Sequence, residues 1–253
     1  MATRKNVPFN GILLYRKNYR ENDMLVKFFT NEFGTKMFLI RRGRKQGFKM
    51  SADILPFTYG KYEGTISDQG LSYIREPLTT HHYTQISADI VLNAYATYVM
   101  SLIDTALPEG EVNHHWFNQL YYALALIDQR VDPAIITNIV EIQLLELFGV
   151  QPWLKDCVVC HETNLPLDYS APYNGLLCQR HWHLDPRRFG LGRRAVFYLQ
   201  KFSVVNLKQI RSIKVGKGTK NELRNLLDSI YEDTVGIHLK SKKFLDEISQ
   251  MGF

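Results

Sequence analysis

Met24-Leu-Val-Lys-Phe-Phe-Thr30-Asn-Glu-Phe-Gly34-Thr35-Lys-Met-Phe-Leu-Ile40 is the stretch on which the fold turns. Its two arms are rich in β-branched and aromatic residues, and Asn31–Gly34 between them supplies a turn, so it reads as a β-hairpin. Further apolar runs flank it: Val7–Tyr15 before, then Ile54–Tyr62 and Leu71–Arg75, the last two separated by a Gly64-to-Gly70 turn region. Five short strands within about seventy residues, with no helical pattern between most of them, predict a small barrel. An OB-fold is the commonest barrel of that size, and an SH3-like barrel is the alternative.

The loop leaving the hairpin is Arg41-Arg42-Gly-Arg44-Lys45-Gln-Gly-Phe48-Lys49, with five cations and no acid. Such a loop attracts backbone phosphates, and Phe48 is placed to stack on a base. Gly43 and Gly47 resemble a phosphate cradle, but no Gly-Lys-Ser/Thr follows, which excludes a nucleotide-hydrolysing P-loop. A solvated hairpin tip is the plainer reading.

Past His81 the apolar period changes to that of helices. Ile86, Ile90, Val91, Ala94, Tyr95, Tyr98, Val99, Leu102 and Ile103 share one face, and Pro108 and Gly110 end it. A second helix is expected over Trp116–Asp128. A third has Asp132 as N-cap, Pro133 at its first position and Gly149 beyond its last turn. The boundary near residue 80 thus divides a β domain (1–80) from a helical one (81–253). Later, Asp185-Pro186 is expected to restart helical structure, with a helix from Arg193 to about Val204. Thr219-Lys-Asn-Glu222 reads as a capping box before an apolar face, and a short helix over Lys242–Ile248 closes the chain.

All three cysteines fall in one interval of the helical part: Cys157-Val-Val-Cys160, seventeen residues, then Cys178-Gln-Arg-His181. Two pairs with two-residue gaps present four soft donors to one tetrahedral ion, a zinc-ribbon spacing with histidine in the last place. Four protein ligands close the shell, so the ion would be structural zinc. His161 and His183 compete with His181 for the fourth position. Cys157–His161 also fits a c-type haem attachment, which would require export, and three unrelated thiols are the bland alternative. The interval about 153–184, with Gly175 and several prolines, is expected to be a loop-rich insertion without a core of its own.

The chain has 253 residues, 45% of them apolar, enough for two modest domains without disulfides. No apolar run of signal-peptide or membrane-span length is present, which predicts a soluble, cytoplasmic protein. The net charge of +6 conceals segregation: +9 over residues 1–49, −11 over 50–185, +10 over 186–221 and −2 thereafter. The second basic segment is densest at Arg187, Arg188, Arg193 and Arg194, and arginine favours bidentate contact with phosphate. One or two basic surfaces facing a polyanion follow from this pattern. Catalytic constellations are missing: there is no Gly-x-Ser-x-Gly, no His-Glu-x-x-His and no kinase or dinucleotide signature. His81-His82 and His114-His115 are adjacent pairs that do not share a helix face.

Taken together, Gly11-Ile-Leu-Leu-Tyr-Arg16, Glu21–Thr30, Phe33-Gly34, the basic loop Arg42–Lys45, Leu55-Pro-Phe57, Cys157-x₂-Cys160, Gly175-Leu-Leu-Cys178 and His238–Leu245 resemble the RecO family of bacterial recombination mediators over essentially the full length. The resemblance implies an α+β multidomain protein: an N-terminal OB-fold barrel, then an all-α domain with an inserted zinc-finger-like module. It also implies binding of single- and double-stranded DNA, annealing of complementary strands, and no enzymatic activity. The partners implied are RecR, the acidic C-terminal tail of single-strand-binding protein, and RecA indirectly, with no membrane. One departure is His181, where many relatives that keep the metal have cysteine. A protein-interaction scaffold taking acidic tails and an RNA-binding barrel are the competing readings.

Overall fold

A computed structural model describes residues 3–251, and the chain divides into two compact units. The first comprises residues up to Arg130 together with those from Lys243 onward; the second is Val131–Lys242.

In the first unit, β1 (Thr3–Tyr19), β2 (Asp23–Thr30), β3 (Gly34–Ile40), β4 (Thr58–Ser67) and β5 (Tyr73–His82) form one antiparallel sheet in the order β3-β2-β1-β4-β5. The hairpin forms as read, pairing Met24 with Ile40 through to Thr30 with Gly34. Gly34 has φ +64° and lies against the Glu111 backbone, where a Cβ would collide, so the turn admits only glycine. Alternate residues of the strands turn inward and bury Phe9, Leu13, Val26, Phe28, Phe38 and Tyr62 in one cluster, joined by Ile54 from the loop before β4. Phe9 stacks on Phe38 at 5.1 Å between centroids.

The ladder of the sheet does not run round into a closed barrel. β3 meets the residue just before β5 at an isolated parallel bridge, Phe38 to Ser72, where Leu39 N donates to Ser72 O and Ser72 N to Met37 O, each at 2.9 Å. Three strands depart from their expected limits, the first running over Thr3–Tyr19 rather than Val7–Tyr15. The fourth starts at Thr58 rather than Ile54, because Pro56 offers no N–H and Phe57 sits at φ +59°. Ile54 is buried all the same, so its apolarity carried no strand information. The fifth runs on to His82, well past Arg75.

Three consecutive helices follow the sheet in this unit: α1 (Thr84–Ala88), α2 (Ile90–Ala106) and α3 (His114–Asp128). The single apolar face read from Ile86 to Ile103 is broken at Asp89, whose carboxylate accepts from Val91 N (3.0 Å) and Leu92 N (3.2 Å) and caps α2. The Asp128 carboxylate likewise accepts from Ile86 N at 2.9 Å, tying α3 to α1. Lys27 on β2 pairs with Asp104 on α2 at 2.6 Å.

The second unit begins with α4 (Pro133–Leu144), led by Pro133 as its sequence indicates; Asp132 stands at the N-cap position, but its carboxylate caps no N–H and pairs with Lys220 instead. It is buried almost all round, including Glu141. Arg224 on α6 (Lys217–Ile230), itself half-buried, forks onto that carboxylate at 2.7 and 2.9 Å and matches the buried charge. The cysteine interval is no bare loop. It forms β6 (Trp153–Cys157), β7 (Leu167–Ser170) and β8 (Gly175–Cys178) in the order β6-β8-β7, with every residue of β8 buried.

Pro186–Gly192 stays irregular, and α5 spans Arg193–Phe202. The expected capping box is also displaced: α6 starts at Lys217, so Thr219 lies inside it. Glu222 instead accepts from Gly192 N (2.6 Å) at the start of α5. The closing helix, α7 (Lys240–Gln250), buries Leu245 and Ile248. Among the described residues no helix is long and apolar enough to cross a membrane.

Candidate metal centre and nucleic-acid interface

Two strand ends deliver the cysteines. β6 finishes at Cys157, and a tight turn closed by His161 N donating to Cys157 O (2.8 Å) exposes Cys160. β8 finishes at Cys178, and the 3₁₀ turn Gln179–Leu184 brings His181 back over it. Their Sγ and Nδ1 atoms all lie within 4.8 Å of one another. Cys160 Sγ is 3.7 Å from Cys178 Sγ, and His181 Nδ1 is 3.3 Å from Cys178 Sγ and 3.6 Å from Cys157 Sγ. A tetrahedron with metal–sulfur bonds of about 2.3 Å has sulfur–sulfur edges of roughly 3.8 Å, so four donors already stand at the corners of a zinc-sized polyhedron.

Burial pushes the Cys157 thiol up. The backbone N–H groups of Cys178, Cys160 and Val159, joined by His181, outweigh burial and bring it down to about 6. The thiolate that a metal requires is therefore favoured by the fold itself. The competing histidines are engaged elsewhere: His161 Nδ1 with Asp156 at 2.9 Å, and His183 Nδ1 with the Arg180 carbonyl at 2.9 Å. The residues fit a structural ion, which would tie β6 to β8 and leave no position for substrate.

The basic loop borders a groove of about 700 Å³ lined by Arg41, Arg42, Lys45, Phe48, Lys49 and Arg75 among others. Arg75 comes from β5, distant in sequence, and only the strand order reveals it. Arg42 N donates to Asp23 at 2.9 Å, which pins the loop to the start of β2. Two expected contacts are redirected. Arg44 folds back to donate to the Glu21 carbonyl at 2.9 Å and does not line the groove. Phe48 packs against the core of the sheet, because a half-buried apolar ring gains more there than as a free stacking platform.

The arginines of the second basic segment differ among themselves. Arg188 is occupied, pairing with buried Asp168 at 3.1 Å and covering the Trp182 ring at 4.4 Å. Asp168 also accepts from Gly190 N and Leu191 N, so this arginine belongs to the support of the turn. Arg187, Arg193 and Arg194 are exposed. Arg193 and Arg194 open α5, where the helix dipole disfavours cations, and the Glu222 carboxylate at that end offsets them. The roles of Asp168 and Glu222 left no mark in the sequence, since each acts on a loop far along the chain.

Residues 3–82 match the family model "Recombination protein O N terminal", and residues 87–243 match "Recombination protein O C terminal". The DNA repair protein RecO of Lactiplantibacillus plantarum is 56% identical over 240 residues, covering 95% of this chain and 93% of the relative. That of Levilactobacillus brevis is 55% identical over 240 residues, covering 95% and 92%. That of Latilactobacillus sakei is 50% identical over 248 residues, covering 98% and 91%. With both parts matched and such identity along nearly the whole length, the chain belongs to the RecO family.

Proposed function

We propose that this chain is a recombination mediator in DNA repair that works by binding DNA and catalyses no reaction of its own. It anneals complementary strands and helps load RecA onto DNA coated by single-strand-binding protein, in the cytoplasm at the nucleoid. The observation that carries the reading is the groove where Arg41, Arg42, Lys45, Lys49 and Arg75 converge. These five cations, Arg75 already sharing Glu63 at 2.7 Å, outnumber the one lining acid, Glu76, and gain by displacing the counterions of a phosphate backbone.

The division of labour we propose is an OB-type barrel over residues 1–80 and a helical part over 81–253 carrying a zinc module at about 153–184. The parallel bridge between Phe38 and Ser72 supports the barrel reading, since it joins β3 to the residue just before β5. Cys157, Cys160, Cys178 and His181 would hold structural zinc; Arg187, Arg193 and Arg194 would extend the DNA contact, and RecR would join as a partner. Strand annealing measured on complementary strands pre-coated with single-strand-binding protein tests the reading. Annealing should proceed without ATP and weaken when Lys45 and Lys49 are changed to Glu; no DNA binding at low salt would refute it.

A second reading, a scaffold for acidic protein tails, has one observation in its favour. A groove of about 770 Å³ in the second unit brings exposed Trp153 and Val204 together with Lys155 and Lys201. Apolar walls with two cations suit an acidic peptide carrying an apolar residue, such as the tail of single-strand-binding protein. Lys155→Glu with Lys201→Glu should abolish tail-peptide binding while direct DNA binding persists.

A further inference from the structure

A recess of about 530 Å³ in the first unit has a chemistry opposite to that of the basic groove. Asn10 of β1, Tyr59 of β4, and His114, Asn118, Tyr121 and Tyr122 of α3 line it with Asn31, and no Lys, Arg, Asp or Glu does. The α3 residues fall at i, i+4, i+7 and i+8, so they share one helix face. The rings brace one another: Tyr121 meets Tyr59 at 4.8 Å and 62°, and Tyr122 at 5.2 Å and 72°. Asn31 Oδ1 is fixed by His114 Nδ1 at 2.9 Å, and Asn10 Nδ2 donates to Glu32 at 2.8 Å. By contrast, the Asn118 amide and the hydroxyls of Tyr59, Tyr121 and Tyr122 make no hydrogen bond to protein among the described residues.

The lining restricts what would enter. A phosphate would lose its hydration with no cation to meet it, and a purely apolar ligand would cover polar groups without pairing them. The volume lies within the roughly 300–1,000 Å³ of small-ligand sites. A planar, uncharged group with donors and acceptors along its edge satisfies both the rings and the amide. We infer that this recess is a site for a single unpaired nucleobase, separate from the basic groove. The inference rests on the DNA-binding reading above and adds base contact to it. A neutral sugar shares some of this chemistry, but the DNA-binding reading favours a base, with the basic groove at the other end of the β2–β3 hairpin to hold the backbone.

The test uses the full chain and two fluorescent single strands of equal length and charge, one of thymidylate and one wholly abasic. The wild type should bind the thymidylate strand about ten-fold more tightly, the scale of a base stacked on an aromatic surface. Asn118→Ala, at an exposed position, and Tyr121→Ala should each shrink that ratio and leave abasic binding unchanged. The Asn118 variant keeps the test decisive if loss of the Tyr121 ring disturbs packing. A ratio near one in the wild type, or a ratio that neither variant alters, overturns the inference while the DNA-binding reading stands. So does loss of the base-dependent increment to maltohexaose but not to free thymidine. Failure of both strands to bind overturns the two together.

Discussion

A cysteine pair two residues apart is a local fact, which is why the cysteine cluster was legible at once: spacing along one turn fixes distance in space. The choice among three histidines was not, because it depends on the 3₁₀ turn after β8 and on Asp156 and the Arg180 carbonyl capturing the rivals. The intramolecular contacts of Arg44, Phe48 and Arg188 were not legible for the same reason, since their partners come from remote positions. Cys157→Ala should therefore cost bound zinc and several kcal/mol of stability, seen as metal loss by atomic spectroscopy and a Tm drop on the order of 10 °C. His181→Ala should lose the metal likewise, whereas His183→Ala and His161→Ala should keep it. A second residue-scale prediction concerns buried Glu141. Arg224→Met strands its carboxylate and should destabilise by about 3–5 kcal/mol, while Glu141→Leu combined with Arg224→Met should recover much of that in chemical denaturation.

Among the elements, the hairpin could be read to within one residue at each limit, because period, composition and turn glycine agree. Gly34→Ala should destabilise by more than about 1 kcal/mol, since it meets both a left-handed φ and the Glu111 backbone. Elements whose limits depend on distant groups were read less well. The break between α1 and α2 needed the Asp89 carboxylate to be recognised as a cap inside a continuous apolar pattern. Glu222 looked like the cap of its own helix and serves another. Asp89 also gives an acid limb. Hydrogen bonds from Leu92 N–H, from Arg130 and from Val91 N–H hold its carboxyl below the ordinary range. A depressed carboxyl stabilises the fold fully above its unfolded value near 3.9, and that stabilisation is lost as pH falls through the lower folded value. Asp89→Ala should lower stability by about 1 kcal/mol at neutral pH, and the gap to wild type should narrow in acid melts.

On the scale of the whole molecule, what the sequence carried most clearly was charge. Two basic segments separated by an acidic middle are visible by counting, and backbone binding needs little more than such an excess. Counting could not say which cations converge: Arg75 enters the groove from the far strand of the sheet and Arg44 leaves it. This distinction gives the last prediction. If the groove grips single-stranded DNA, log affinity should fall linearly with log salt, with a slope of roughly −0.7 per phosphate neutralised. Lys49→Ala and Arg75→Ala should each weaken binding similarly across unrelated sequences and flatten the slope by about one contact. Arg44→Ala should do neither, because its guanidinium is spent on the Glu21 carbonyl and its charge stands apart from the groove lining. Anisotropy titrations at several salt concentrations separate these outcomes. Equal slopes for all three variants would mean that net charge alone, without the groove, accounts for the binding.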